Sequence, residues 1–507
     1  MRVGLITLLE KKGKSRLKIE NWRPITLLGM DYKILSKCLG ERLKKVLPNL
    51  IHPDQNGFIP GGSVFFSSHT IRDLLFYCEK EKFELFMFCI DYTKAFDFLE
   101  FGYIHKVFEL FNFNQNFCKW LKIFFNGGKS CISNNGFLSE KFQIKRSTRQ
   151  GDPISPLIFI LGIEMLFIAI RSDKNIRGIK LEGHEIKLSA FADDATYFTR
   201  DKSSSDKLLA TIDSFSKVSG LQINRSKSEC LLLQHKAQAS NYMEKCCGIP
   251  VVDIVKVLGH FFGKNKLVCD YQNFYSKIPK VEKIMHIWKQ RNLTLFGKNI
   301  LITTLINSQI LFNAQIETPP PDFLKIIERL KKTFLWGGGT PKIANQSLIG
   351  SIEQGGINYK DLQIQIKSLN VKFVTTLFTC KSYRSLLPRH WISCFFESIS
   401  NIKECDLSYY RNFMSNLDIV TQFSFKLPRK NKWKGHPFYY ECLDTIHKLN
   451  TELPNSINEF LSTPLWYNKF FNTRFDCHIS KMGFNFIKDI VDKGNFLNIQ
   501  SAQGLRL

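Results

Sequence analysis

The chain has 507 residues, with 71 Lys and Arg against 45 Asp and Glu, a formal charge of +26. Hydrophobic residues make up 44%, and the 17 Pro and 30 Gly follow no repeat, which excludes a disordered polar chain and a collagen-like or low-complexity one. The length supports a large core and two to four domains, and the positive surplus points to a polyanionic partner, nucleic acid ahead of a membrane surface, with solvated charge for solubility as the bland alternative.

The first fifty residues are basic: twelve Lys or Arg face four acids between Arg2 and Lys45. Residues 1–9 are too short an apolar run for a signal peptide, and Glu10, Lys11 and Lys12 follow at once. Ile34, Leu35, Leu39 and Leu43 recur at helical spacing, and Pro48 with the cluster Pro53-Asp-Gln-Asn-Gly57 is predicted to end that helix. Residues 83–90 are apolar and aromatic, the pattern of a buried strand, which ends at Asp91. A helix is expected around residues 104–111, and Asn134-Asn-Gly136 predicts a hairpin. After the loop Arg149-Gln-Gly-Asp-Pro153, residues 157–170 read as a buried helix, shorter than a bilayer span and containing Glu164. Residues 186–198 predict two short strands joined at Ala192-Asp-Asp194, and residues 206–218 an amphipathic helix stopped by Gly220.

The character changes after about Gly263. Residues 280–312 predict two helices broken near Gly297, Thr318-Pro-Pro-Pro-Asp322 a rigid break with Asp322 capping the next helix, and Trp336-Gly-Gly-Gly-Thr-Pro341 a loop. The 14 Cys include no CxxC pair and no Cys/His quartet at zinc-ligand spacing, so they read as reduced intracellular thiols. No repeat at solenoid spacing is visible.

The acids that matter are Asp91, after one strand, and Asp193-Asp194, at a hairpin tip about a hundred residues later. Carboxylate oxygens are hard ligands suited to Mg²⁺. Two such ions about 4 Å apart can stabilise both the attacking and the leaving oxygen of a phosphoryl transfer, and acids from separate strands suit the task of bracketing them. Each acid also has an ordinary reading, since Asp in a turn commonly bonds its own backbone.

In order, the chain carries Ile6-Thr-Leu-Leu-Glu-Lys-Lys-Gly-Lys14, Asn21-Trp-Arg-Pro-Ile-Thr-Leu-Leu28, Tyr32-Lys-Ile-Leu-Ser-Lys37, Asp54-Gln-Asn-Gly-Phe-Ile-Pro-Gly61, Ile90-Asp-Tyr-Thr-Lys-Ala-Phe-Asp97, Arg149-Gln-Gly-Asp-Pro-Ile-Ser-Pro156, Phe191-Ala-Asp-Asp194, Ser219-Gly-Leu-Gln-Ile-Asn-Arg-Ser-Lys-Ser228 and Val257-Leu-Gly259. From about Leu5 to Asn370 it resembles the reverse transcriptase of LINE-type (non-long-terminal-repeat) retrotransposons. The resemblance implies an α+β right-hand polymerase fold: fingers at 1–85, a palm with an antiparallel sheet at 86–262 bearing a fingers-side insertion near 115–146, a helical thumb and following segment at 263–385, and a mainly helical C-terminal region of uncertain fold at 386–507. It implies an RNA-directed DNA polymerase using two Mg²⁺ ions, with Mn²⁺ as a substitute, on an RNA template, a DNA primer and deoxynucleoside triphosphates. An inactive or repurposed scaffold that binds nucleic acid is the alternative. The protein is expected inside the cell, in nucleus or cytoplasm, and not at a membrane.

By the same resemblance Asp91, Asp193 and Asp194 are the metal ligands, with the backbone carbonyl of Tyr92. Phe96 is a steric gate against the ribose 2′-hydroxyl, and Gln150 and Gly151 face the incoming nucleotide. Gly151 has a physical reason of its own, because backbone approaches a base pair closely only without a Cβ. Arg149 contacts phosphate or template, Arg23 in the fingers contacts triphosphate or template, Lys227 is the general acid, and Leu258 and Gly259 form the primer grip. Two positions depart from the family pattern: Gly62, where Arg is usual, and Ser147, where Gly is usual. No endonuclease motif precedes the fingers and no Cys/His knuckle closes the chain, so an element fragment is expected. A basic patch around Trp433, at 426–434, reads equally as an RNA grip or a solvated loop.

Overall fold

A computed structural model describes residues 3–11, 13, 15–125, 127–234, 244–379, 383–392, 433, 435–448, 491–492 and 495–496. Most of the expected C-terminal region, and the basic patch apart from Trp433, lie outside these residues. The chain divides into two units, Met1–Cys269 and Asp270–Leu507.

In the first unit Val3–Glu10 pairs antiparallel with Trp22–Leu27 and parallel with Lys129–Asn134. Part of the 115–146 insertion therefore belongs to the sheet of the N-terminal strands. The predicted hairpin forms from Lys129–Asn134 into Phe137–Leu138. Its loop residues Asn135 and Gly136 have φ of 48° and 86°, the paired positive values that an Asn-Gly turn supplies.

A second sheet has six strands, in the order Lys245–Cys246, Ile249–Val252, Glu229–Leu233, Leu85–Ile90, Asp194–Thr199, Leu188–Phe191. Leu85–Ile90 lies inside it, flanked antiparallel by Asp194–Thr199 and Glu229–Leu233. Nearly every residue of that strand is buried, so its sequence is an unbroken apolar run and does not alternate.

The core helix Ser155–Ser172 packs against the helices Met30–Leu50, Phe101–Leu110 and Lys202–Ser219. It joins Phe88, Phe108, Tyr197 and Leu208 in one apolar core. At 18 residues it is longer than its apolar run suggested, and by length and hydropathy it could cross a bilayer; 67% of it is instead buried in this unit. Another expectation also shifts. Met30–Leu50 runs through Pro48 and ends at Ile51, whose N–H donates to the Leu47 carbonyl at 2.9 Å. Pro48 sits in the last turn, where its missing N–H removes a single helical bond.

In the second unit Ile278–Lys289 is followed by Leu295–Leu301, which continues through a π turn, Ile302–Asn307, into Ser308–Ala314. This second helix also passes the bilayer measure by length and hydropathy. The break comes before Gly297, because the Thr294 hydroxyl accepts the Gly297 N–H at 3.2 Å and starts a new helix there. Pro321–Trp336 begins on its prolines, with Asp322 in the first turn and not at the cap, and stops at Gly337 with φ 66°. Ile302, Ile306, Ile310, Phe323, Ile327 and Leu362 form the core of this unit.

Candidate active site

Asp91 directly follows the strand Leu85–Ile90. Ile90 lies opposite Ala195 in antiparallel register, so one step further brings Asp91 opposite Asp194. Asp194 itself pairs with Phe191 across the two-residue loop Ala192-Asp193. The three acids therefore share one end of the sheet, with Asp193 half-buried and Asp91 and Asp194 reaching solvent. They act on one another. Desolvation raises the Asp193 pKa and Asp91 adds to it. Asp194 opens to solvent at its edge, yet desolvation by the protein around it, then the charges of Asp193 and Asp91, push it up to about 6. Among the described residues, no Lys or Arg offsets either shift.

Among the described residues, no group of three or more His, Cys, Asp or Glu side chains is placed to hold a metal ion. Mg²⁺ is usually held by fewer protein ligands, since one or two carboxylates, waters and substrate phosphates complete its shell. Hard oxygens brought together so that they repel one another form a donor set suited to a divalent ion.

The backbone that carries Asp91 is held by the segment 222–228. The Asp91 N–H donates to Ser228 Oγ at 3.1 Å, and that hydroxyl donates to the Asn224 carbonyl at 2.9 Å. The Asn224 N–H donates to the Asp91 carbonyl and the Thr93 N–H to the Gln222 carbonyl, each at 2.8 Å. In this bridge of Tyr92 with Ile223, the flanking residues take the bonds and the Tyr92 carbonyl takes none. The Tyr92 hydroxyl lies 2.6 Å from that of Tyr197 in the core. Gly220, which stops the preceding helix at φ 82°, has a second reason to be glycine: a Cβ there would stand 2.4 Å from the Phe98 carbonyl.

A cleft of about 330 Å³ is lined by Phe96, Arg149, Gln150, Gly151, Asp152 and Asp193, among others. The Phe96 ring is backed by Phe159 at 4.6 Å. Gly151 has φ 106°, and a Cβ would meet the Thr26 carbonyl at 2.6 Å, while the Thr26 N–H donates to the Gln150 carbonyl at 2.9 Å. The close approach that requires glycine is thus to the strand Trp22–Leu27, a neighbour that the sequence reading did not supply. Arg149 is 2% exposed, and among the described residues none of its guanidinium nitrogens has a hydrogen-bond partner. It lies 5.8 Å from the Tyr32 ring. The nearby Asp152 carboxylate is occupied by the hydroxyls of Tyr32, at 2.8 Å, and Ser36. Burial raises the Asp152 pKa against those hydrogen bonds. Tyr32, Ser36 and Asp152 tie the helix Met30–Leu50 to the cleft loop. Sequence reasoning missed this link; its signal was the acid inside Arg149-Gln-Gly-Asp-Pro153.

The family profile described as "Reverse transcriptase (RNA-dependent DNA polymerase)" matches residues 9–262, half of the chain. The chain belongs to the reverse transcriptase family. The chain is 27% identical over 494 residues to the "Transposon TX1 uncharacterized 149 kDa protein" of Xenopus laevis, covering 93% of this chain and 35% of that protein. It is 22% identical over 413 residues to the "Retrovirus-related Pol polyprotein from type-1 retrotransposable element R2" of Popillia japonica, covering 76% and 56%. It spans 35% and 56% of these relatives' lengths. Among solved structures, a telomerase of Candida albicans with a fragment of telomeric RNA aligns at 13% identity and a TM-score of 0.41, over 89% of this chain and 64% of that one, a likeness too distant to argue from.

The remaining expected site residues stand apart from the cleft lining. Arg23 is exposed on Trp22–Leu27, opposite Leu9. Lys227 is exposed on the turn that holds Asp91. Leu258 and Gly259, with φ of 51° and 84°, join Ile254–Val257 to His260–Gly263 in a separate two-stranded ribbon. The departures also have physical consequences. A Cβ on Gly62 would stand 2.2 Å from the Asn56 carbonyl, so this loop has no room for the arginine usual there. Ser147 is held at φ 122°, a conformation that favours the glycine usual there.

Proposed function

We propose that the chain is the RNA-directed DNA polymerase of a LINE-type retroelement, adding deoxynucleotides to a primer 3′-hydroxyl along an RNA template. The observation that carries this reading is the meeting of Asp91, Asp193 and Asp194 at one end of the sheet, with Asp193 lining the same cleft as Phe96 and Arg149. The three acids and the Tyr92 carbonyl would hold two Mg²⁺ ions, or Mn²⁺, which when bound supply positive charge for the attacking and departing oxygens. The chain's own groups do the positioning. Phe96, backed by Phe159, would abut the sugar 2′ position and reject a ribonucleotide for want of room. Gln150 and Gly151, held by Thr26, would lie along the incoming nucleotide. Arg149 makes no hydrogen bond among the described residues, and a phosphate of the nucleotide or template would satisfy it once its side chain swings into the cleft it lines. Lys227 Nζ would give a proton to the departing pyrophosphate. Leu258 and Gly259 would seat the primer, and Arg23 would draw triphosphate or template backbone.

The test is primer extension with Mg²⁺, a primed RNA template and deoxynucleotides. The parent extends, and Asp194→Asn loses roughly a thousandfold or more of that rate. RNA affinity stays within about twofold, because it rests on phosphate charge. A parent that binds RNA with a steep salt dependence and extends nothing would leave the repurposed scaffold as the better reading.

A further inference from the structure

The run Asp54-Gln-Asn-Gly57, expected as a loop, lies along Leu188–Phe191, the strand that leads into the turn bearing Asp193. Gln55 and Ala190 form a parallel bridge. The Asn56 N–H donates to the Ala190 carbonyl, and the Ala190 N–H to the Asp54 carbonyl, each at 2.8 Å. The loop is anchored to the helix Val64–Lys80 by Asn56 Nδ2, which donates to Ser67 Oγ at 3.0 Å.

Gln55 is fully buried. Its Oε1 accepts the Ala192 N–H at 2.9 Å and the Gly57 N–H at 2.7 Å, and its Nε2 donates to the Ala192 carbonyl at 3.2 Å. A single side-chain amide therefore takes both backbone groups of the residue just before Asp193. Gly57 permits this contact, since a Cβ there would stand 2.2 Å from the Ala192 nitrogen.

Ala192 has φ 58° and opens the two-residue loop between Phe191 and Asp194, while Asp193 is not at positive φ. A turn with positive φ at its first loop position alone is the kind in which glycine is usual there. An alanine in that conformation is strained, and such strain persists only where the surroundings over-determine the backbone. Gln55 is the side chain that does so here.

We propose that Gln55 is a positioning residue for the catalytic turn: its amide holds the strained Ala192 backbone and so sets where the Asp193 carboxylate stands for a divalent ion. The inference rests on the proposed role of Asp193 and adds a residue to it that the family motif alone does not explain.

The experiment uses the full chain without nucleic acid and reads two quantities. One is hydrogen exchange across residues 188–195. The other is Mn²⁺ binding followed by electron paramagnetic resonance, counted as the part that Asp193→Asn removes. Gln55→Ala is expected to speed exchange at the Ala192 amide about tenfold or more and to weaken Mn²⁺ binding about ten- to a hundredfold. Ala192→Gly accepts the positive φ freely, and in the Gln55→Ala background it is expected to recover most of the Mn²⁺ affinity. A merely structural role for Gln55 would show no such rescue. Unchanged Mn²⁺ affinity in Gln55→Ala, a loss that Ala192→Gly does not recover, or a parent that binds no Mn²⁺ through Asp193 overturns the inference. A parent with Gln55-dependent Mn²⁺ binding that extends no primer overturns the polymerase reading alone. Extension by Gln55→Ala at the parent's rate and Mg²⁺ requirement overturns this inference alone.

Discussion

Arg171, at the end of the core helix, donates from Nη1 to both oxygens of Asp54, at 3.0 and 2.9 Å, and from Nη2 to Glu164. His52 Nδ1 lies 3.0 Å from Asp54, and the His52 N–H donates to Glu164 at 3.3 Å. Burial pushes Glu164 up to about 8, with Arg171 opposing and Asp54 adding to the shift. Burial thus favours the protonated form of Glu164, while the Arg171 guanidinium is shared between Glu164 and Asp54. The candidate catalytic end of the same unit is arranged differently. Among the described residues, no Lys or Arg offsets the raised pKa of Asp193 or Asp194, and the Arg149 guanidinium makes no hydrogen bond. The guanidinium of the first cluster is hydrogen-bonded to two acids, whereas the guanidinium at the cleft makes no hydrogen bond among the described residues. The unpaired state costs the free protein stability.

That contrast breaks most readily at its two arginines. Arg171→Met leaves Asp54 buried without its cation and is expected to cost about 3–5 kcal/mol, read from the shift of a urea unfolding midpoint. Arg149→Leu removes a guanidinium that makes no hydrogen bond among the described residues, so stability should hold within about 1 kcal/mol or rise. An equal loss in both variants would end the distinction. The same Arg149→Leu protein should show a deoxynucleotide KM raised about ten- to a hundredfold, the worth of a hydrogen bond to a charged group. An unchanged KM would remove Arg149 from the nucleotide's surroundings.

A smaller effect sharpens the paired side. Glu164 has a folded pKa near 8 against an ordinary 4.5, so its stabilising contribution is complete below about 4.5 and is lost as pH rises through about 8. Thermal midpoints of the parent should fall across that window relative to Glu164→Gln, which has no such proton to lose. Parallel curves would show that Glu164 is ionised throughout. The smallest change expected is at Ser147. Glycine there relieves the positive φ at the expense of a long contact, 3.5 Å, from Ser147 Oγ to Asp97. Ser147→Gly should gain about 1 kcal/mol, and a loss in the same urea measurement would show that the hydroxyl matters more than the backbone.

Much of the scaffold was legible because its causes are local. The apolar run before Asp91, the Asn135-Gly136 turn and the stop at Gly220 each depend on neighbours in the chain. The residues that were missed are buried and polar, and their partners lie far away. Gln55 and Ala192 are 137 positions apart, as are Asp91 and Ser228, and Tyr32 and Asp152 are 120 apart. No periodicity marks such residues, because a buried polar side chain is defined by what it faces. The break at Thr294 was misplaced for a related reason: a hydroxyl cap outweighed the glycine three residues later.

By itself, the sequence determined the kinds of group available: acids after a buried strand and in a tight turn, a glycine-bearing loop, a basic surplus and the family to which these belong. Short-range sterics and apolar patterning suffice for that. Only the tertiary structure decided which of those groups meet. It decided that Asp91 lies opposite Asp194, that among the described residues Arg171 is hydrogen-bonded to two acids while Arg149 makes no hydrogen bond, and that Gln55 reaches the turn before Asp193. Such meetings depend on strand register and on burial, which the packed chain as a whole sets.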